Sequence, residues 1–281
     1  MKKLLRAFFA FALALSACAD DDSDIFLVRG GERASDDSSS STDVLNSSSS
    51  RSQSSSSVDY VLPEEYHEVY PACNTDGEDE CEYGQIVDKR DGHIYRTVEI
   101  GSQVWMAENL AYRPNGKAVY DSKLKCLERT SGECVDYGPL YTWGEAIDSA
   151  KVYETLGIEC GYRSNCELPL PVRGICPEGW HLPSYDEWDV LSYAMDLDYR
   201  AMQAKGFSSW SNATDLYGFS ALPAGYISGD GSYSNLGYAL GFWASTGGNR
   251  ARADSWYVHS NEFGHTDDEK KLGYSVRCIQ D

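Results

Sequence analysis

Residues 175–188 read ICPEGWHLPSYDEW, a block that combines a cysteine, a tight polar turn and the start of a helix. Ser184 and Glu187 form the S-x-x-E pattern of a capping box, in which the two side chains satisfy free backbone N–H groups of the first helical turn. A helix that begins after Ser184 carries three apolar side chains on one face: Trp188, Leu191 and Met195. This spacing predicts a short helix with one buried stripe.

A second capping box and several strand-like runs surround this helix. Thr142 and Glu145 repeat the pattern ahead of four apolar residues at helical spacing: Trp143, Ala146, Ile147 and Ala150. Asp91-Gly92 lies between residues 85–89 and 93–100, and Asp-Gly between such runs is typical of a hairpin. Further strands are expected at 219–227, 240–245, 255–259 and 274–279. Two short helices among several short antiparallel strands predict an α+β fold.

The cysteines indicate a disulfide scaffold. Of nine cysteines, Cys18 belongs to a lipid-anchor motif described below, and an even remainder is typical of disulfides in exported proteins. Eight cysteines allow roughly a hundred pairings, between which the sequence does not choose. Spacing favours one simple scheme: Cys73–Cys81, Cys126–Cys134, Cys160–Cys166 and Cys176–Cys278. Spacings typical of zinc sites are absent.

The first residues carry the pattern of a bacterial lipoprotein signal. Positive charges precede an apolar run over residues 7–15, and Leu15-Ser16-Ala17-Cys18 resembles a lipobox. The run is too short for a permanent transmembrane helix. The pattern predicts removal of residues 1–17 and a membrane anchor through diacylglycerol on Cys18. With Asp20-Asp21-Asp22 after the cysteine, we expect a cell-envelope location, at the outer membrane and exposed on the surface.

Composition divides the remaining chain into a tether and a domain. Residues 18–58 are rich in Ser and Asp, a composition that buries too little apolar surface to fold. Residues 59–83 form an acidic lead-in, and residues 84–281 are expected to fold. The formal net charge of −20 becomes about −23 when the signal is removed. This charge argues against a nucleic-acid partner, because phosphate binding needs a basic surface.

The expected domain resembles a known family through a series of ordered blocks. The blocks are DGHIY (91–95), IGSQVWMAENL (100–110), GPLYTW (138–143), ICPEGWHLPSYDEW (175–188), GFSALPAGY (218–226), FWAST (242–246) and SVRC (275–278). Together they look like the Fibrobacter succinogenes major paralogous domain, and the resemblance extends over residues 84–281. That family has no established biochemical activity, so the resemblance implies a fold more than a function.

A second resemblance concerns the fold. HLPSYDEW and SVRC are similar to motifs of formylglycine-generating-enzyme-like and C-type-lectin-like domains. Those domains tie an α+β core with a disulfide between the region of the second helix and a terminal strand. Cys176 and Cys278 match these positions, in agreement with the pair that spacing leaves. Residues 121–136 and 153–172 look like insertions, and each carries its own cysteine pair.

The sequence contains no catalytic pattern. Formylglycine-generating enzymes use a reactive cysteine pair late in the domain, whereas Cys278 is the only cysteine after Cys176. G-x-S-x-G, H-E-x-x-H and P-loop motifs are absent. Asp186 and Glu187 could form a carboxylate pair for glycoside hydrolysis, but capping already explains Glu187. We therefore expect no enzymatic activity and no cofactor.

Two polar clusters raise the alternative of a metal site. Calcium oxygens could come from Asp76, Glu78, Asp79 and Glu80. A divalent transition metal could be held by His259, Glu262, His265, Asp267, Asp268 and Glu269. Neither cluster has a recognised ligand spacing, and the sugar and calcium motifs of C-type lectins are absent. We interpret both as solvated loops and predict no metal site.

Aromatic residues outside the family blocks are the best candidates for ligand contacts, because their rings offer a flat apolar surface with a polar edge. With their polar companions, the candidates for an exposed platform are Trp210, Asn212, Asp230, Tyr233, Asn235, Tyr238, Trp256 and Tyr257. Tryptophans inside the blocks are assigned to the core. The sequence predicts an envelope lipoprotein with a non-catalytic binding domain for polysaccharide or another surface component. The alternatives are an assembly protein with a protein partner and an enzyme on a formylglycine-enzyme-like scaffold.

Overall fold

The structure is a computed structural model that describes residues 70–75, 78–114, 127–128 and 134–281. Its strands, in chain order, are β1 (Asn74–Thr75), β2 (Glu78–Asp79), β3 (Gly84–Val87), β4 (Ile94–Ile100), β5 (Gln103–Met106), β6 (Leu127–Glu128), β7 (Cys134–Val135), β8 (Trp180–His181), β9 (Tyr226–Ile227), β10 (Tyr233–Ser234), β11 (Leu240–Gly247), β12 (Arg252–Val258), β13 (Phe263–Glu269) and β14 (Ile279–Gln280). Two antiparallel sheets dominate, with strand orders β3-β4-β5-β14-β8 and β11-β12-β13. The pairs β1–β2, β6–β7 and β9–β10 form small ladders.

Short helices complete the α+β class, as the sequence predicted. They are α1 (Trp143–Ala146), α2 (Ser149–Leu156), α3 (Tyr185–Ala194), α4 (Tyr199–Met202) and a 3-10 turn (Ser208–Trp210). Both capping boxes form, at Thr142 and Ser184. The helix expected to continue through Ala150 instead divides, because Asp148 takes a left-handed conformation and caps α2. Among the described residues, no helix is long and apolar enough to cross a membrane.

Three strand expectations needed correction. The predicted strand at 274–279 is a strand only from Ile279, with isolated bridges at Tyr274 and Ser275 before it. The predicted strand at 219–227 is a strand only from Tyr226. The residues before it are mostly buried but irregular, and Pro223 among them has no backbone N–H to pair with a neighbouring strand. Residues 263–269, interpreted as part of a solvated loop, form β13 and pair with β12 along its whole length. Strand β13 is an edge strand, and an edge tolerates alternating charged side chains that would be costly in a central strand. The hairpin predicted around Asp91-Gly92 forms between β3 and β4.

The three-stranded sheet separates two apolar cores. On one face, Phe242 and Trp256 lie opposite each other in register and stack against Trp188 of α3, with ring centroids 5.1 and 6.3 Å from it. On the other face, Trp243 packs against Tyr274, with ring centroids 4.7 Å apart. Tryptophans from the family blocks are buried, as expected: Trp105, Trp143, Trp180, Trp188 and Trp243.

Disulfides join the pairs that spacing favours: Cys73–Cys81, Cys160–Cys166 and Cys176–Cys278. The last one links the chain before β8 to the chain that enters β14. The expected Cys126–Cys134 disulfide is not described, because Cys126 and the side chain of Cys134 lie outside the described parts of the chain. So do the predicted signal and tether, residues 59–69 of the lead-in, Asp76, and the side chain of Glu78.

A buried carboxylate lies where the Cys73–Cys81 segment meets the domain. Asp215 is 6% exposed and accepts hydrogen bonds from the backbone N–H and the Oγ of Ser220, at 2.7 and 2.6 Å. The carbonyl of Leu216 accepts from the N–H groups of Cys73 and Asn74. Burial raises the pKa of Asp215 to about 6, even though the Ser220 hydrogen bonds favour the ionised form.

This raised pKa predicts a pH-dependent stability. Because the carboxyl of Asp215 binds its proton more tightly in the folded chain, ionisation destabilises the fold, and stability should increase as pH falls from 7 to 5. Asp215→Asn should flatten this part of the profile and stabilise the protein at pH 7 by about 1–3 kcal/mol. Urea unfolding at several pH values measures both effects.

Asp91→Asn is the matched control, because Asp91 is exposed and its oxygen accepts a hydrogen bond from the N–H of His93, which an amide oxygen can also do. Parallel profiles for wild type and Asp215→Asn would contradict the prediction.

Candidate functional site

Burial removes two tryptophans from the candidate platform. Trp210 and Trp256, which were expected to be exposed, are only 2% and 4% exposed. Trp210 donates its Nε1 proton to the carbonyl of Tyr238, and Trp256 belongs to the stack around Trp188. The prediction was wrong for both, because lying outside a family block was taken as a sign of exposure.

The remaining candidates lie at or near the surface but not in one row. Asp230 is exposed, and its carboxylate accepts from the N–H and Oγ of Ser232, so the turn between β9 and β10 explains it. Tyr233 is half-buried against the core, and Asn212 is exposed. Asn235 and Tyr257 come together in one cleft. Tyr238, 62% exposed, lies beside this cleft in the chain.

The cleft has a volume of about 220 Å³ and opens on the face of the three-stranded sheet that carries Tyr257. Its lining residues are Tyr226, Asn235, Ala239, Leu240, Gly241, Tyr257, His259, Thr266, Asp268 and Tyr274. We call it the tyrosine cleft. Five of its polar residues were not predicted as ligand contacts. Tyr226 and Tyr274 lie in or beside family blocks, whereas His259, Thr266 and Asp268 were assigned to a loop that is in fact strand β13 and the turn before it.

Two glycines position the rings of the cleft. Gly241, Tyr257 and Gly264 lie opposite one another across β11, β12 and β13. A Cβ on Gly241 would lie 2.6 Å from the ring of Tyr274, and a Cβ on Gly264 would lie 2.8 Å from the Oη of Tyr257. Both distances are shorter than real Cβ contacts allow. The glycines therefore let the two rings lie flat against the sheet.

Asp268 supplies the carboxylate of the cleft. Its Oδ2 accepts hydrogen bonds from the Oγ of Ser255 at 2.8 Å and the Oη of Tyr274 at 2.7 Å. Burial, and then the charge of Asp268, raises the pKa of Tyr274 far above its ordinary value. The hydroxyl of Tyr274 therefore remains a donor, and it holds the carboxylate in a fixed orientation. The ring of Tyr226 lies edge-on to that of Tyr274, with centroids 5.9 Å apart.

Strand β13 divides the polar cluster that was considered for a metal. Successive side chains of a strand point to opposite faces, so Asp268 faces the tyrosine cleft while His265 faces Asp254, with Nε2 3.3 Å from its Oδ1. Within the described parts of the chain, no group of three or more His, Cys, Asp or Glu side chains is placed to hold a metal ion.

The two carboxylates considered for glycoside hydrolysis, Asp186 and Glu187, lie in different environments. Glu187 accepts from the N–H and Oγ of Ser184 through Oε2, and its Oε1 lies 2.7 Å from the Nε2 of buried His181. Although burial opposes it, hydrogen bonds from His181 and Ser184 lower the pKa of Glu187. Asp186 is exposed to solvent. Glu187 therefore connects β8 to the first turn of α3, which is a structural use of its carboxylate.

A larger groove, of about 950 Å³, lies between α2 and residues 168–175. Arg90, Arg173 and Lys151 are among its lining residues, and the guanidinium carbon of Arg90 lies 3.8 Å from the ring centroid of Tyr112. Leu156, at its edge, is exposed, as are Tyr153 on the same helix and Leu170 in the facing segment. The predicted insertion at 153–172 contributes to this groove, which no pattern in the sequence indicates.

These features define a class of protein: an α+β domain, cross-linked by disulfides, with an aromatic cleft on its smaller sheet. Residues 98–280 match the family model of the Fibrobacter succinogenes major domain. This match covers well over half of the chain, so the chain belongs to that family, as its sequence blocks predicted. No curated protein and no solved structure matches it.

Proposed function

We propose that this protein is a lipid-anchored envelope lipoprotein whose domain binds polysaccharide, without catalysis, through the tyrosine cleft. The cleft carries the proposal because it combines tyrosine rings with amide, hydroxyl and carboxylate groups on a rigid sheet. Flat rings suit the apolar faces of sugars, and the polar groups suit their hydroxyls. The C-type-lectin-like relationship of the fold is part of the same proposal and rests on the HLPSYDEW and SVRC blocks.

The anchor belongs to the proposal as well. Lipidation of Cys18 would attach the protein to the envelope, and the Ser-rich residues 18–58 would hold the domain at a distance from the membrane. A long spacer suits a module that must reach an insoluble ligand. Radiolabelled palmitate tests this part, because it should label the wild-type protein in cells and should not label Cys18→Ala.

Removal of the Tyr257 ring is expected to weaken polysaccharide binding at least tenfold, since one central aromatic contact contributes about 1.5 kcal/mol or more. The purified, oxidised protein is tested for retention on insoluble cellulose, xylan and peptidoglycan, with and without EDTA. Retention should survive EDTA and fall in Tyr257→Ala. Tyr153→Ala, which removes an equally large exposed ring from α2, is the matched control and should bind normally. Equal retention of both variants would contradict binding at the cleft.

One observation favours the second candidate function, recognition of an envelope protein. The groove beside α2 is larger than the cleft, the exposed side chain of Leu156 lines it, and Leu170 is exposed in the segment that faces α2. Exposed apolar surface of this kind marks protein interaction sites. Capture of one discrete protein from an envelope extract, lost in Leu156→Ala but not in Tyr257→Ala, would replace the polysaccharide proposal.

A further inference from the structure

The charge of the tyrosine cleft is one-sided. Asp268 lines the cleft, and among the described residues that line it none is a lysine or an arginine. The larger groove differs, since Arg90, Lys151 and Arg173 line it. A carboxylate or phosphate on a ligand is normally met by such a guanidinium or ammonium group. In the tyrosine cleft it would meet Asp268 instead.

The hydrogen bonds of Asp268 also favour an uncharged ligand over an anionic one. Both described donors, Ser255 and Tyr274, are bonded to Oδ2, and Oδ1 has no hydrogen bond within the described parts of the chain. An ionised carboxylate can only accept hydrogen bonds. Its free oxygen therefore suits a ligand hydroxyl, which donates, and opposes a ligand carboxylate, which only accepts.

The whole-chain charge acts in the same direction over longer distances. A formal net charge of −20 repels polyanions before contact. This contribution is screened by salt within about 10 Å at 0.1 M. A preference for uncharged over anionic polymers that persists at high salt must therefore arise within the cleft.

We infer that the tyrosine cleft selects uncharged, hydroxyl-bearing sugar units and rejects units that bear a carboxylate, with Asp268 as the selecting group. This inference rests on the proposed function, because it names the ligand class of the same cleft. Uncharged glycan segments fit this class, whereas uronic-acid polymers do not.

Matched polymers test the inference. Each pair shares a backbone and differs in carboxylates: hydroxyethyl cellulose with carboxymethyl cellulose, methyl-esterified with de-esterified galacturonan, and carboxyl-reduced with native glucuronoxylan. Affinity electrophoresis of the oxidised protein at 0.05 and 0.5 M NaCl gives a dissociation constant for each polymer. At least one uncharged member should bind, and its carboxylated partner should bind at least tenfold more weakly at both salt concentrations.

Two variants distinguish the effect of the carboxylate in the cleft from the effect of the net charge of the chain. Asp268→Asn keeps an acceptor for Ser255 and Tyr274 but removes the charge. It should reduce the ratio of the dissociation constants of the carboxylated and the uncharged polymer to less than threefold. Asp267→Asn is the matched control, because it makes the same change in net charge on the opposite face of β13, where Asp267 is exposed. It should leave the ratio unchanged.

The possible failures are distinguishable. If the two polymers of a pair bind equally, the inference is overturned while polysaccharide binding stands. The same holds if Asp267→Asn reduces the ratio of their dissociation constants as much as Asp268→Asn does. If no uncharged polymer binds, the proposed function fails and the inference with it.

Discussion

Arg277→Ala is expected to destabilise the domain by about 3–5 kcal/mol, the range seen when one member of a buried polar network is removed. Arg277 is 0% exposed. Its Nη1 donates to the carbonyls of Phe219 and Met106, at 2.5 and 3.1 Å, and its Nη2 donates to the Oδ1 of Asn109 at 2.6 Å. The side chain of Arg277 thus connects the C-terminal part of the chain to two distant segments, residues 106–109 and Phe219.

The environment of Arg277 explains why this loss should be large. Its guanidinium carbon lies 4.4 and 5.4 Å from the ring centroids of Phe219 and Phe242. Burial lowers its pKa to about 9, with weaker opposing effects from Glu108 and Asp215. Truncation would leave three acceptors without their donors, and each unsatisfied buried group costs about 1–3 kcal/mol. Relief of the desolvated charge offsets only part of that cost.

Urea unfolding, followed by near-ultraviolet circular dichroism, measures the effect. Arg277→Lys should also be destabilised, because an ammonium cannot serve several separated acceptors as a planar guanidinium does. Arg252→Ala is the control, since Arg252 is exposed on β12 and its loss should change stability by less than about 0.5 kcal/mol. A loss below 1 kcal/mol in Arg277→Ala would show that the network is not needed.

The double variant Cys176→Ala, Cys278→Ala is expected to lose about 4–5 kcal/mol, and Cys73→Ala, Cys81→Ala only about 2–3 kcal/mol. In the chain-entropy account, a cross-link restricts the unfolded chain more when it closes a longer loop. The separations are 102 and 8 residues. Cys176 and Cys278 are also completely buried, so their removal further loosens the core. Unfolding midpoints under oxidising conditions compare the two variants. A larger loss in the short-loop variant would contradict this order.

Local chemistry made part of this fold predictable from sequence. The capping boxes at Thr142 and Ser184 and the Asp-Gly hairpin depend on a few neighbouring residues, and all three form. The buried stripe of α3 was predictable for the same reason. Strand β13 was not, because its polar residues gain their partners from β12, and that pairing depends on distant contacts.

The candidate site was less predictable than the fold. Asn235 and Tyr257 were identified, but Trp210 and Trp256 are buried by contacts with residues elsewhere in the chain. Tyr274 and Asp268 were missed, because the cleft forms only when β11, β12 and β13 pair. The signal that could have identified it is the glycine at positions 241 and 264, each of which leaves space for a neighbouring ring.

Amide hydrogen exchange, with and without an oligosaccharide of whichever polysaccharide retains the protein, tests the central claim most directly. Binding at the tyrosine cleft predicts slower exchange in residues 235–241 and 255–268, with residues 145–156 unchanged. Protection confined to residues 145–175 would place the ligand in the larger groove and contradict the account.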